Sequence, residues 1–99
     1  MNGTRNTLKY SQLIHDKKNQ QFRISIEEVI AKVDYRMREG LMLLVHSEVP
    51  YSLRGQGIGR VLVEKVFEYI DVHNLKASAL CSFIAAVANK SDKWKEIIS

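Results

Sequence analysis

The stretch VPYSLRGQGIGRVLVEKVFEYI, residues 49–70, places Gly55, Gly57 and Gly59 two apart, directly before a long apolar-periodic run. Three of the five glycines in the 99-residue chain thus gather at the mouth of one helix. Inside regular structure each costs about 0.5–1 kcal/mol relative to alanine, so their clustering calls for a purpose. From Ile58 to Val72, Arg60, Glu64, Glu68 and Asp71 fall on one narrow polar stripe at spacings of four, four and three. Most of the remaining positions are apolar, which predicts an amphipathic helix laid on a sheet.

Upstream, Leu41–Val49 reads as a strand. Leu41, Leu43 and Val45 point one way and Met42 and Leu44 the other, so both faces begin apolar. That pattern predicts a central strand covered on both sides. Towards its end the Met42/Leu44 face passes into His46 and Glu48, with Ser47 opposite, and Pro50 then removes a backbone donor and ends regular pairing. A buried strand that turns polar at its C-terminal end is where open α/β sheets hold ligands.

The flanks complete the architecture. Gln12–Asp16, Gln21–Ile26 and Glu28–Met37 alternate as half-buried strands, the last with Val29, Ala31, Val33, Tyr35 and Met37 on one side. Short turns at 17–20 and at Glu39-Gly40 predict an antiparallel meander leading into the central strand. After Asn74, LKASAL reads as a short strand closed by Cys81. FIAAVANK and DKWKEII read as one broken or two short helices, with Ser91 as an N-cap. The expectation is one α+β domain over residues 1–99, with residues 1–10 as a loose basic N-terminus. It comprises a twisted, mostly antiparallel sheet, one long helix after the glycine-rich turn and a short helical C-terminus.

Composition narrows the function classes. At 45% hydrophobic and 26% charged the sequence is ordinary for a globular domain. No apolar run approaches the ~20 residues of a membrane span, and the N-terminus lacks the apolar core of a signal peptide. Cys81 stands alone, so no internal disulfide forms and a cytoplasmic setting is expected. With one cysteine and no spaced ligand cluster, no metal site is expected. Residues 1–23 carry Arg5, Lys9, Lys17, Lys18 and Arg23 against Asp16, a net +4, and the rest of the chain balances to zero. Only Tyr10 and Phe22 interleave aromatics with that basic end, so a nucleic-acid partner is not expected; lysines guarding a strand edge account for it. His15 and His73 have no partner near them in sequence and read as surface residues.

A strand, a glycine-rich turn and a helix N-terminus together make an anion site, because unpaired first-turn amides and the positive end of the dipole converge there. The P-loop does not fit, since Arg60-Val61 rather than Lys-Ser/Thr follows the last glycine. The dinucleotide fingerprint does not fit either, because the spacing is G-x-G-x-G. What the stretch resembles is the acetyl-CoA signature of the GNAT superfamily of N-acetyltransferases, Arg/Gln-x-x-Gly-x-Gly/Ala, with Arg54, Gly57 and Gly59 at its defining positions. The resemblance extends to a compact GNAT-like family over about Phe22 to Trp94. Glu48-Val49-Pro50, Leu53-Arg54-Gly55, Gly57-Ile58-Gly59, Leu62-Val63 and Cys81-x-Phe83 all match it. The chain departs from that family at Ser82, where proline is common, and at Ser91-Asp92, where a His-Pro pair is common. Trp94 stands in place of a tyrosine, and no tyrosine follows Tyr69 to act as the general acid of larger GNAT enzymes.

The resemblance implies that acetyl-CoA or CoA binds at Arg54–Arg60. The backbone of Gln56, Gly57, Ile58, Gly59 and Arg60 would hold the pyrophosphate, Arg54 and Gly55 would shape the turn, and Val49 would pair with the pantetheine arm as an added strand. The function it implies is transfer of acetyl to a small-molecule or protein amine; the alternative is a non-catalytic CoA-binding or interaction module. Histidine is the side chain suited to proton transfer near neutral pH, and Glu48 stands beside His46 on the same strand, so either residue suits the base that frees the acceptor nitrogen. Cys81 is a candidate acetyl acceptor or acid for the departing thiolate, or a small buried hydrophobe. So little chain remains that a second copy or a partner protein could complete the acceptor site.

Overall fold

The computed structural model describes residues 12–99; the expected loose N-terminus at 1–10 lies outside them. Five strands, β1 (Ile14–Asp16), β2 (Gln21–Ile26), β3 (Val29–Arg38), β4 (Leu41–Glu48) and β5 (Lys76–Ala79), form one sheet in sequence order. The first four are antiparallel, and β5 runs parallel to β4. Helix α1 (Ile58–Val72) crosses from β4 to β5, and α2 (Ser82–Asn89) and α3 (Asp92–Ile97) close the chain. The α+β class, the meander and the turn at Glu39-Gly40 are as the alternation predicts, with positive φ at both turn residues. Ser91 caps α3 by accepting from the Trp94 amide at 3.4 Å.

The core is built by strand periodicity meeting helix periodicity. Phe22 lies opposite Val33, Ile24 opposite Ala31, Tyr35 opposite Leu44 and Met42 opposite Ala77, so one face of the sheet is apolar across every pair. Leu62, Val63, Val66, Phe67 and Ile70 of α1 are all buried against it. Each such side chain contributes about 1.5–3 kcal/mol through burial. Trp94 joins the same cluster, its ring 5.4 Å from that of Phe67.

Two expectations about β4 fail. The strand is interior but not covered on both sides: the helices share the single buried cluster on the Met42/Leu44 face, and Leu41, Leu43 and Val45 stay half-buried. The ladder then slips. Tyr35 pairs with Leu44 but Asp34 pairs with His46, which leaves Val45 as the extra residue of a β-bulge. A bulge reverses the side-chain alternation beyond it. Ser47, opposite the buried Val33, therefore continues the Met42/Leu44 face, and His46 and Glu48 lie on the other.

His15 is also not the surface residue that its lack of sequence neighbours predicts. Its Nδ1 is 2.8 Å from the Tyr69 hydroxyl and its Nε2 is 2.7 Å from the Tyr35 hydroxyl. The imidazole stacks on Phe22 at 4.3 Å, so β1 is clamped to β3 and α1 by aromatic contacts from residues far apart in the chain. His73 is exposed, as expected, and stacks on Tyr69.

Candidate functional site

The site begins where β4 and β5 part. Their pairing ends at Leu44–Ala79, and the Leu44 carbonyl then accepts from both Leu80 and Cys81 amides, at 2.9 and 3.1 Å. Beyond that point β4 continues to Glu48 while the other chain turns into α2, so the strand ends diverge. Pro50, with φ −56°, stops the ladder, and a single 3₁₀ turn (Tyr51–Leu53) leads to the glycines. Leu53 and Ile58 are buried on either side of them, and Arg54 to Gly57 are exposed between these two anchors. The turn is thus pinned at both ends and open in the middle.

Gly55 and Gly57 have φ of +82° and +75°, and an added Cβ would meet nothing within 4 Å at either. Their requirement is conformational, and Gly57 is the residue that caps α1 in the left-handed region. Gly59 is different: its backbone is helical, and a Cβ there would lie 3.2 Å from Phe83 Cζ and 3.4 Å from Val49 Cγ2. It is needed for close approach of an aromatic ring.

The first hydrogen bond of α1 runs from the Val61 amide to the Gly57 carbonyl, which leaves the amides of Ile58, Gly59 and Arg60 without helical partners. No side chain caps them and no acidic residue stands in the first turn. Arg54 and Arg60 flank the opening. Arg54 Nε donates to the Val49 carbonyl at 3.1 Å, tying the turn to the end of β4, and its guanidinium lies 5.9 Å from the Tyr51 ring. Arg60 faces Glu64 at 3.5 Å. This is the donor set that an anion needs.

A cavity of about 850 Å³ opens over these elements. Val49, Arg54, Gly55, Gly57, Ile58, Gly59 and Arg60 line it, together with His46 and Glu48. Gln56 lies off the lining, with its side chain turned back to the Ser52 carbonyl. His46 Nε2 and Glu48 Oε1 are 3.6 Å apart, both with 56% of the side chain exposed, so His46 is not a core histidine.

Cys81 also lies off the lining. It does not close β5, which ends at Ala79; it is the N-cap of α2 and is half-buried. Its Sγ is 3.6 Å from Ser47 Oγ, and Ser47 does line the cavity. Burial pushes the thiol up, but the Ile84 amide, the Ser47 hydroxyl and the Phe83 amide outweigh it, so its pKa lies below the ordinary thiol value. Sequence reasoning missed Ser47, Tyr51 and Phe83. Only Phe83 carried a signal, as the last residue of the Cys81-x-Phe83 match.

Comparison with known proteins agrees with this geometry. Residues 21–97 match the family model described as GCN5-related N-acetyl-transferase. The chain is 29% identical over 77 residues to Protein NATD1 of Gallus gallus, an alignment covering 74% of this chain and 69% of that protein. It superposes on the solution NMR structure of a GCN5-like protein from Staphylococcus aureus with a TM-score of 0.66 and 27% identity, over 89% of this chain and 87% of that one. With a family model spanning most of its length and a matching fold, the chain belongs to the GCN5-related N-acetyltransferase family.

Proposed function

We propose that the chain is an acetyl-CoA-dependent transferase that acetylates a primary amine in the cavity between the end of β4 and the N-terminus of α1. The observation that carries this reading is the uncapped first turn of α1, opening into the same cavity as His46 and Glu48. The residues present fit the cofactor: two glycines whose conformation leaves space above the backbone, three unpartnered amides and two flanking arginines. Acetyl-CoA, when bound, supplies an acetyl group activated as a thioester.

The chain's own residues would do the rest. The amides of Ile58 to Arg60 would bind the pyrophosphate, and Arg54 would hold the turn closed through Val49. Glu48, with His46 beside it, would take a proton from the acceptor ammonium, directly or through one water, because only the neutral amine attacks an acyl carbon. Cys81, which lies behind Ser47 at the divergence of β4 and β5, would return a proton to the departing thiolate through the Ser47 hydroxyl, 3.6 Å from its sulfur. The acceptor site formed by this chain is open, with Tyr51 85% exposed at its edge. A second copy or a partner protein would complete it.

Turnover of acetyl-CoA against a panel of amines, read as thiol release, tests the reading. Release with at least one amine is expected. Tight CoA binding with no release on any amine would instead identify a non-catalytic CoA-binding module, the reading favoured by the exposure of His46 and Glu48.

A further inference from the structure

A second cavity, of about 440 Å³, lies at the opposite end of α1 from the glycine turn, bordered by His15, Tyr35, Tyr69 and His73. A proton count shows that its polar groups are not self-sufficient. Neutral imidazole has one N–H and one lone pair. The two His15–tyrosine contacts therefore use two of the three available protons, and one phenol O–H is left over. If His15 is protonated, it donates to both tyrosines and both phenol protons are left over. With Nε2 protonated the spare proton is that of Tyr35, and with Nδ1 protonated it is that of Tyr69; both residues line the cavity, so in either tautomer a donor is free for an acceptor bound there.

The walls fit one kind of partner. Lys17 borders the cavity, and no carboxylate does among the described residues. Met37, Met42 and Leu75 make the other side apolar, and Met37 is 47% exposed there. We propose that this cavity binds a small monocarboxylate, whose oxygens accept the spare phenol protons and whose short apolar body lies against the methionines. Binding is coupled to proton uptake by His15, because the imidazolium frees the second phenol donor and adds a positive charge. Around His15, burial, Lys17 of the β1–β2 turn and His73, the C-cap of α1, all disfavour that charge, and Asp16 favours it. Tyr35 of β3 and Tyr69 of α1 are its hydrogen-bond partners, and Asp16 itself is engaged by Arg23 and Asn19. A bound carboxylate offsets the burial and the neighbouring positive charges.

The test is titration of the full chain with sodium butyrate, followed by backbone amide and imidazole resonances at about pH 5.5 and about pH 7.5, on either side of an ordinary histidine pKa. Saturable shifts at His15, Tyr69 and Leu75 are expected, with tighter binding at the lower pH. The affinity should change by up to about tenfold per pH unit between the free and bound His15 pKa values. Tyr35→Phe and Tyr69→Phe keep both rings and should each weaken binding several-fold in a folded spectrum. His15→Gln should abolish the pH dependence. The proposal is overturned if a folded chain shows no saturable shift at either pH. It is equally overturned if inorganic phosphate binds as well as butyrate, or if the double phenylalanine variant binds like the parent.

Discussion

The Phe83 ring rests on the backbone of Gly59, so closely that a single added carbon at Gly59 would stand 3.2 Å from it. The contact joins the first turn of α1 to the first turn of α2 across the divergence of β4 and β5. Gly59→Ala gains up to about 1 kcal/mol of helix propensity, and the half-exposed Phe83 ring can yield by a few tenths of an ångström. The variant should therefore unfold in urea within about 1 kcal/mol of the parent while its affinity for CoA falls, because Phe83 and Val49 are walls of the cavity. Calorimetric titration with CoA beside urea unfolding separates the two effects.

Gly57 behaves oppositely. At φ +75° a side chain is strained even though nothing crowds it. Gly57→Val should cost at least about 1–2 kcal/mol of stability, within the usual 5–15 kcal/mol that keeps a domain folded. Urea unfolding should show that loss without any ligand present, and CoA binding should be lost as well. A variant as stable as the parent would mean that the left-handed cap is not needed.

The Cys81 thiol should titrate below an ordinary thiol. Its rate of alkylation by iodoacetamide, followed against pH, should rise at lower pH than that of free cysteine. Ser47→Ala should move the profile upward by removing one donor to the thiolate. If Cys81 adjoins the bound thioester, CoA should also slow the reaction. A thiol that stays inert until the protein unfolds would belong to the core.

Asp16 should shape the acid limb of stability. Arg23, at 2.7 Å, holds its carboxyl well below the usual carboxylate range, with the Asn19 side chain and amide adding to this. The folded state thus takes up the proton less readily than the unfolded chain does. The contribution of Asp16 is complete above the ordinary value of about 3.9 and drains away as pH falls below it. Thermal melts should show a shallower decline below about pH 4 in Asp16→Asn than in the parent.

How much of this was legible in the sequence depends on how local each feature is. Strand alternation from Gln21 to Leu44, the α1 stripe and the glycine turn rest on neighbours within a few residues, and they stand as read. The bulge at Val45 was not legible, because a ladder slip depends on what lies opposite, here Asp34 and Tyr35. That single slip turned His46 and Glu48 to the open face and brought Ser47 to Cys81. The clamp at His15 was hidden for the same reason: its partners are 20 and 54 residues away. Cys81 as a helix cap rather than a strand end reflects the early turn at Leu80, where both Leu80 and Cys81 amides bond to Leu44.

Cofactor binding at the first turn of α1 is the claim on which the rest depends. Amide-resolved titration of the chain with CoA measures it most directly. Saturable shifts should be largest at Gly57, Ile58, Gly59 and Arg60, with smaller ones at Val49 and Phe83, and the β1–β2 turn should remain still. Absence of shifts at those four amides, in a protein whose spectrum shows it folded, would contradict the account.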